Sequence, residues 1–155
     1  MSKSSIGWIW VGAQAVLLLA LVALPTRDDW PFPFLLTVLA GLLFFGGLIL
    51  AAVAALGLGS SLTPTPVPNQ AGELQTKGLY RFMRHPIYTA VLLAVAGITL
   101  RSQSWVHLVI AVGTVLFFDR KASWEEKQLA EHFSGYADYA ARTPKFVPFS
   151  KSEFS

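Results

Sequence analysis

Two long apolar runs near the start of the chain constrain its fold more than any other feature. Residues 6–24 and 34–58 contain no charged side chain, and about 20 consecutive apolar residues let a helix cross a bilayer core. The whole sequence is 54% hydrophobic and 14% charged, whereas soluble domains carry about 25% charged residues. We therefore predict an integral membrane protein that contacts membrane lipids.

The first run has a second interpretation as a cleaved signal peptide with Lys3 at its positive end. Its apolar stretch is longer than a normal signal core, and Trp8 and Trp10 suit the headgroup region of a bilayer. A transmembrane helix is therefore the preferred prediction. The second run contains small residues that favour helix association, including a homo-oligomer. These are Gly41, Gly46, Gly47 and the alanines between 51 and 55.

Two shorter apolar segments follow a polar loop at 59–85. Residues 86–100 and 104–118 are separated only by the sequence RSQS, which predicts a tight helical hairpin whose segments are short for a full crossing. From Asp119 onward the chain has the pattern of an amphipathic helix. The predicted fold class is all-α, a membrane helical bundle of about four transmembrane helices with a C-terminal amphipathic cytoplasmic helix.

Lysine and arginine residues predict the orientation, because cytoplasmic loops are enriched in them. With four spans, Lys3, the loop 59–85 and the polar tail lie on one side, whereas Arg27 and Arg101 lie on the other. We therefore predict a multi-pass protein with both termini in the cytoplasm. The polar loop and the polar tail would then face each other at the same membrane surface.

The composition excludes several kinds of site. The absence of cysteine excludes disulfides, thiolate metal sites and a cysteine nucleophile. The histidines at 85, 107 and 132 lack the spacing of metal ligands, so no metal site is predicted. The net charge of +3 is divided among loops rather than gathered on one basic face, so nucleic acid is not a predicted partner.

The sequence RHP at residues 84–86 places two basic side chains against the third apolar segment. Proline suits the first turn of a helix, where its missing N–H group would have no partner, and it keeps the preceding residue extended. Pro86 is therefore predicted to start a helix, with Arg84 and His85 just outside it. Free amides and the positive end of the helix dipole favour a bound anion there.

Two adjacent glutamates, Glu125 and Glu126, belong to the same predicted side of the membrane. Adjacent helical residues point about 100° apart, so at most one carboxylate is aimed fully at a given point. A basic helix start that faces a carboxylate is complementary to a zwitterion such as the head of an amino acid. Taken singly, the arginines have an alternative role as lipid-phosphate anchors, and the glutamates as a solvated helix face.

In combination, the segments TKGLYRFMRHPIY and EEKQLAEHFSGYADYAARTPKFVPF resemble the isoprenylcysteine carboxyl methyltransferase and phospholipid methyltransferase family. Its members are integral membrane enzymes that use S-adenosylmethionine. The resemblance covers about residues 56–149. Length and composition predict a single membrane domain over 1–155. Its predicted parts are two transmembrane helices in 1–58, the cofactor-binding methyltransferase core that the resemblance implies in 59–149, and a tail in 150–155.

The resemblance and the local chemistry together assign roles to individual residues. The predicted cofactor-binding residues are Gly57, Gly59, Tyr80, His85, Pro86, Tyr88, Glu125, Glu126 and Tyr139. The predicted catalytic residues are Arg84, Glu125 and Arg142, the last as a guide for an anionic acceptor. The carboxylate of S-adenosylmethionine is expected at the helix start and its ammonium at one of the two glutamates. Its adenine is expected among Phe82, Tyr88 and Trp124.

The resemblance implies methyl transfer from S-adenosylmethionine to a lipophilic acceptor at the cytoplasmic membrane boundary, similar to isoprenylcysteine carboxyl O-methylation. The acceptor would be a carboxylate, an amine or a thiol on a lipid or lipophilic small molecule. One alternative is an NADPH-dependent membrane reductase of the steroid and sterol type, although 155 residues leave little room for a dinucleotide. The other alternative is a non-catalytic membrane scaffold.

One departure from the family pattern bears on the cofactor. Ala90 stands where members commonly have glycine, two residues after Tyr88. The extra methyl group is placed where a helix or a ligand comes close.

Overall fold

The structure, a computed structural model, describes residues 2–68 and 72–148. All regular structure in this part of the chain is helical, which confirms the all-α prediction. The predicted tail at 150–155 lies outside the described residues. The helices are α1 (Lys3–Ala23), α2 (Phe34–Leu58), α3 (Pro86–Ser102), α4 (Trp105–His132) and α5 (Tyr136–Arg142), with short 3-10 turns at Gly59–Ser61 and Gly78–Arg81.

Two of the described helices, α1 and α2, are long and apolar enough to cross a membrane. Only 11% of the most apolar window of each helix is buried inside the protein, so most of its side chains are available to lipid. The 17 residues of α3 extend about 26 Å at 1.5 Å per residue, short of a hydrocarbon core of about 30 Å. The count of four spans and the cytoplasmic termini stay predictions.

The fourth apolar segment and the predicted amphipathic helix form one continuous element, which corrects the predicted boundary at Asp119. The helix α4 runs without interruption from Trp105 to His132. Residues 119–132 contain neither proline nor glycine, and their many alanine, glutamate, lysine and leucine side chains favour the helix. It ends before Ser134 and Gly135, and α5 follows as a separate helix.

The helices α2 and α3 cross closely because glycines let their backbones approach. A Cβ atom added at Gly97 would lie 2.6 Å from the carbonyl oxygen of Ala40, and one added at Gly47 would lie 2.6 Å from that of Ala90. Ala90 is only 1% exposed. Its methyl group is therefore buried, and its carbonyl oxygen faces Gly47 of α2 at the helix crossing.

The two short connectors meet at one end of the bundle. The backbone amide of Arg27 donates to the carbonyl of Ser102 at 2.8 Å, and that of Asp29 donates to Gln103 at 3.0 Å. The Asp29 carboxylate also accepts from the amide of Trp105 at 2.9 Å, which caps the start of α4. The polar loop and the residues after α5 meet at the opposite end, and the site lies there.

We expect Gly97→Ala to destabilise the bundle, because the added methyl group collides with the backbone of α2. Overpacking of this kind costs about 1–3 kcal/mol, which unfolding measurements in detergent can detect. The control is Gly46→Ala, since a Cβ atom at Gly46 would meet nothing within 4 Å. An equal loss of unfolding free energy in both variants would contradict this crossing.

Candidate functional site

Three of the predicted residues form a buried cluster, called here the anchor, which consists of Arg84, His85 and Glu126. Oε1 of Glu126 accepts a hydrogen bond from Nε of Arg84 at 2.7 Å and lies 2.9 Å from Nε2 of His85. The exposed fractions are 4% for Arg84, 6% for His85 and 5% for Glu126. The basic helix start and the acidic segment therefore converge, as the sequence predicts.

The anchor also holds the chain around and after α5 against the start of α3. The backbone amide of His85 donates to the carbonyl of Lys145 at 3.0 Å. Arg84 donates, at distances of 2.8, 2.6 and 2.9 Å, to the carbonyls of Ala140, Thr143 and Pro144. The sequence predicts a catalytic Arg84 beside free amides, whereas in the structure its guanidinium and amide bond to the protein itself.

Glu126 is ionised inside the protein. Burial alone would raise its pKa, but the hydrogen bond and charge of His85, and then those of Arg84, hold the pKa below its usual value. The carboxylate therefore keeps its charge at neutral pH. Because Arg84 and His85 already bind that charge, Glu126 is suited to holding the structure together.

Glu125 is adjacent in sequence but lies in a different environment. Its side chain is 24% exposed and lines a cavity. Oε2 of Glu125 accepts a hydrogen bond from the Tyr88 hydroxyl at 2.6 Å and lies 3.7 Å from Nδ1 of His85. The imidazole of His85 thus lies between the two glutamates. It also stacks on the Tyr88 ring, with centroids 5.2 Å apart and planes 5° from parallel.

The cavity next to Glu125 has a volume of about 260 Å³, close to the smallest ligand pockets of about 300 Å³. Its walls come from α1, from the starts of α3 and α5, from the polar half of α4 and from the polar loop at 61–68 and 72–75. The cavity therefore lies where every polar segment that the sequence singled out comes together.

The structure places most of the predicted cofactor-binding residues around this cavity. Those on its wall are Tyr80, His85, Pro86, Tyr88, Glu125 and Tyr139. The two predicted glycines lie outside the wall and are exposed. The carbonyl of Gly57 accepts from the side-chain amide of Gln75 at 2.7 Å. Gly59 ends α2 with a φ of +50° and a ψ of −122°, a positive-φ conformation that glycine adopts more easily than other residues.

Glu126 is also absent from the cavity wall, and so are three further predicted residues. Arg142 is exposed on α5, and its Nε donates to the carbonyl of Asp138 at 3.0 Å. Phe82 is 45% exposed, and Trp124 is half-buried on α4. Of the expected adenine contacts, Tyr88 lines the cavity, and Phe82 and Trp124 do not.

Two cavity residues, Lys121 and Gln14, were not predicted. Lys121 is 4% exposed, and its Nζ donates to Oε1 of Gln14 at 2.5 Å. Burial lowers the pKa of Lys121, and the charge of Glu125 opposes that shift. A signal was present in the sequence, because Gln14 is a lone amide within the apolar run 6–24.

The fold and the site define a protein with membrane-length helices and, at one end of its bundle, a cavity lined by both polar and apolar side chains. A model of the phospholipid methyltransferase family matches residues 35–135. The chain belongs to this family. Among the described residues, no group of three or more His, Asp or Glu side chains is placed to hold a metal ion.

Three proteins of known name are similar to this chain. The chain is 31% identical, over 96% of its length, to the cobalt-zinc-cadmium resistance protein CzcN of Cupriavidus metallidurans. It is 29% identical, over 96% of its length, to the nickel-cobalt-cadmium resistance protein NccN of Alcaligenes xylosoxydans xylosoxydans. The chain spans only 65% and 66% of the lengths of these two proteins.

The third relative is the protein-S-isoprenylcysteine O-methyltransferase B of Arabidopsis thaliana. It is 34% identical over 50% of this chain and 40% of its own length. Together with the family match, this similarity confirms the predicted resemblance to isoprenylcysteine and phospholipid methyltransferases. The two apolar helices and the family together indicate association with a membrane.

We expect Glu126→Gln to destabilise the protein far more than Glu125→Gln. Removal of one partner from a buried ion pair costs about 3–5 kcal/mol, because the other charge stays buried. Glu125 is partly exposed, and loss of its hydrogen bond to Tyr88 costs about 1 kcal/mol. Chemical unfolding in detergent measures both free energies.

A double variant tests the origin of the difference. Arg84→Met combined with Glu126→Gln removes both partners of one interaction, so its loss of unfolding free energy should be smaller than the sum of the losses in the two single variants. Equal destabilisation by the two single glutamate variants would show that the anchor does not hold the structure.

Proposed function

We propose that this protein transfers the methyl group of S-adenosylmethionine to a lipophilic acceptor at a membrane surface. Membership of the phospholipid methyltransferase family and similarity to an isoprenylcysteine methyltransferase support the proposal. The single observation that carries it in the structure is the partly exposed carboxylate of Glu125. This carboxylate lies on the cavity wall, held by Tyr88 beside the start of α3.

The cavity residues are complementary to the amino-acid head of S-adenosylmethionine. The Glu125 carboxylate suits its ammonium group, because charge-assisted hydrogen bonds are the strong ones. The amides of Ile87 and Tyr88 belong to the first turn of α3, and both residues line the cavity. First-turn amides have no carbonyl partner inside their helix and carry its positive dipole end, so they suit the carboxylate of the cofactor.

Another part of the wall is apolar and aromatic. Leu129, Phe133 and Tyr136 line it, and they come from the end of α4, the turn after it and the start of α5. Flat and apolar side chains of this kind suit an adenine ring. We therefore assign the adenine to these residues, in place of Phe82 and Trp124.

The anchor acts as a positioning device in this proposal. Glu126 is bonded to the start of α3, and Glu125 is the preceding residue of the same rigid helix. The two halves of the head-group site, the Glu125 carboxylate and the α3 amides, are therefore fixed relative to each other. A displacement of about 1 Å can reduce an enzymatic rate about 100-fold, so we assign Arg84 a positioning role.

S-adenosylmethionine supplies an electrophilic methyl group when it is bound. The protein has to align an acceptor with that group and exclude water, since the sulfonium charge disappears as the methyl group moves. The mostly buried side chains around Glu125 provide such an environment. A carboxylate acceptor needs no general base, whereas a neutral amine or thiol needs one.

The acceptor reaches the cavity from the membrane in this proposal. Exposed apolar side chains cover α1 and α2 along their lengths, and the cavity lies at the end of the bundle where α1 meets the polar loop. A lipophilic molecule with a polar end can then keep its apolar part in lipid. We propose a multi-pass arrangement in which this end faces the cytoplasm.

We expect the purified protein in nanodiscs to bind S-adenosylhomocysteine, and Glu125→Gln to weaken that binding by about tenfold or more. The substitution removes the charge that faces the amino group of the ligand, and a charged hydrogen bond contributes about 1.5–3 kcal/mol. Isothermal titration calorimetry measures the affinity. Glu131→Gln is the matched control, because Glu131 is an exposed carboxylate on the same helix.

Two results would contradict the proposal. One is a wild-type protein that does not bind S-adenosylhomocysteine, and the other is an unchanged affinity in Glu125→Gln. Tight binding of NADPH by the wild type would instead favour the reductase alternative.

A further inference from the structure

We propose that Lys121 and Gln14 bind an anionic head group of the methyl acceptor. This inference rests on the proposed function, because it assigns the second reactant to the cavity whose Glu125 end takes the cofactor. It concerns two residues that none of the sequence motifs includes. The argument depends on where Lys121 lies, on what it contacts and on why α1 carries a glutamine.

Lys121 and Glu125 lie one helical turn apart on the same cavity wall. Four residues of α-helix rise about 6 Å, so charges of opposite sign occupy neighbouring positions along α4. The helix runs from its apolar segment toward the polar end of the bundle. Lys121 is therefore nearer to the apolar side than Glu125, and a lipophilic acceptor that enters from that side meets Lys121 first.

The contacts of Lys121 leave its positive charge without a close carboxylate. Its Nζ donates to Oε1 of Gln14 at 2.5 Å. It also lies 5.1 Å from the ring centroid of Tyr88 and 5.8 Å from that of Phe118. An amide oxygen and two ring faces are neutral, and among the described residues no carboxylate forms an ion pair with Lys121.

A ligand anion would complete this environment. A buried ammonium without a matching charge is unfavourable, and it has three donors to satisfy. Gln14 supplies one acceptor and Glu125 lies one helical turn away without forming an ion pair with Lys121, so an anion in the cavity would supply the directly paired charge and the remaining acceptors.

Gln14 shows that α1 is adapted to this lysine. It is a lone amide in an otherwise apolar run, and an amide in an apolar environment is unfavourable unless it is hydrogen-bonded. Its partner is Lys121 on α4, and both residues line the cavity. The Lys121–Gln14 pair therefore joins α1 to α4 at the cavity.

The chemistry of the pair defines the class of acceptor. A buried ammonium attracts a carboxylate or a phosphate and repels a protonated amine. Lys121 would recognise both anions by the same features, a negative charge and oxygen acceptors. We therefore infer a lipophilic acceptor with an anionic head group, and the two anions are separate arms of the test.

The test measures equilibrium binding of dodecanoate, dodecyl phosphate, dodecanol and dodecylamine to the protein in nanodiscs, with binding to empty nanodiscs subtracted. The wild type should bind at least one of the two anions about tenfold more tightly than dodecanol. Lys121→Met should abolish that preference, and Lys121→Arg should retain it because the charge is kept. Lys127→Met, an exposed lysine on the same helix, is the matched control and should behave as the wild type.

Gln14→Glu is a second test of whether the charge of Lys121 causes the preference for anions. Its carboxylate would pair with Lys121 in place of a ligand, so the anion preference should disappear while dodecanol binding stays the same. A merely structural role for Gln14 would change the binding of anions and dodecanol alike.

The proposal is overturned if Lys121→Met keeps the anion preference, or if it loses S-adenosylhomocysteine binding together with dodecanoate binding. The second result would place Lys121 in the cofactor site. Failure of the two proposals can be told apart. A wild type that binds no S-adenosylhomocysteine contradicts the methyltransferase function, whereas a wild type that binds the cofactor product but prefers neither anion contradicts only the acceptor assignment.

Discussion

The buried contact of Glu126 with Arg84 and His85 is the interaction on which the rest of the site depends. It joins α4 to the start of α3, and through Arg84 it also holds the chain around α5. Burial of these charges costs free energy of desolvation, and removal of one partner destabilises the protein further because the other charge stays buried. Because it fixes three segments that are distant in sequence, it also orients Glu125 toward the cavity.

The parts of the fold that follow local rules could be predicted from the sequence. The second apolar run was predicted at 34–58 and forms α2 over the same residues, and α3 begins at Pro86 as the RHP motif predicts. The end of α4 could not be predicted in this way. Its polar second half was predicted to be helical, but its continuity with the apolar segment and its end at His132 were not, because hydropathy alone shows only where the apolar side chains stop.

For the site, too, the local motif could be predicted from the sequence and the contacts between distant segments could not. The motif brings Arg84 and His85 to the start of α3, and the sequence also predicts that a glutamate faces them. Which glutamate does so depends on how α4 is rotated, and tertiary contacts set that rotation. The contact between Gln14 and Lys121 joins residues 107 positions apart, and no local pattern connects them.

The most direct test of the account is an experimental structure of the protein with S-adenosylhomocysteine bound. We expect the ligand in the cavity, its amino group within hydrogen-bond distance of Glu125 and its carboxylate at the first turn of α3. The carboxylate of Glu126 should still be bonded to Arg84 and His85. Two results would contradict this arrangement. One is a ligand whose amino group binds Glu126 in place of Arg84 and His85, and the other is a ligand that lies outside the cavity.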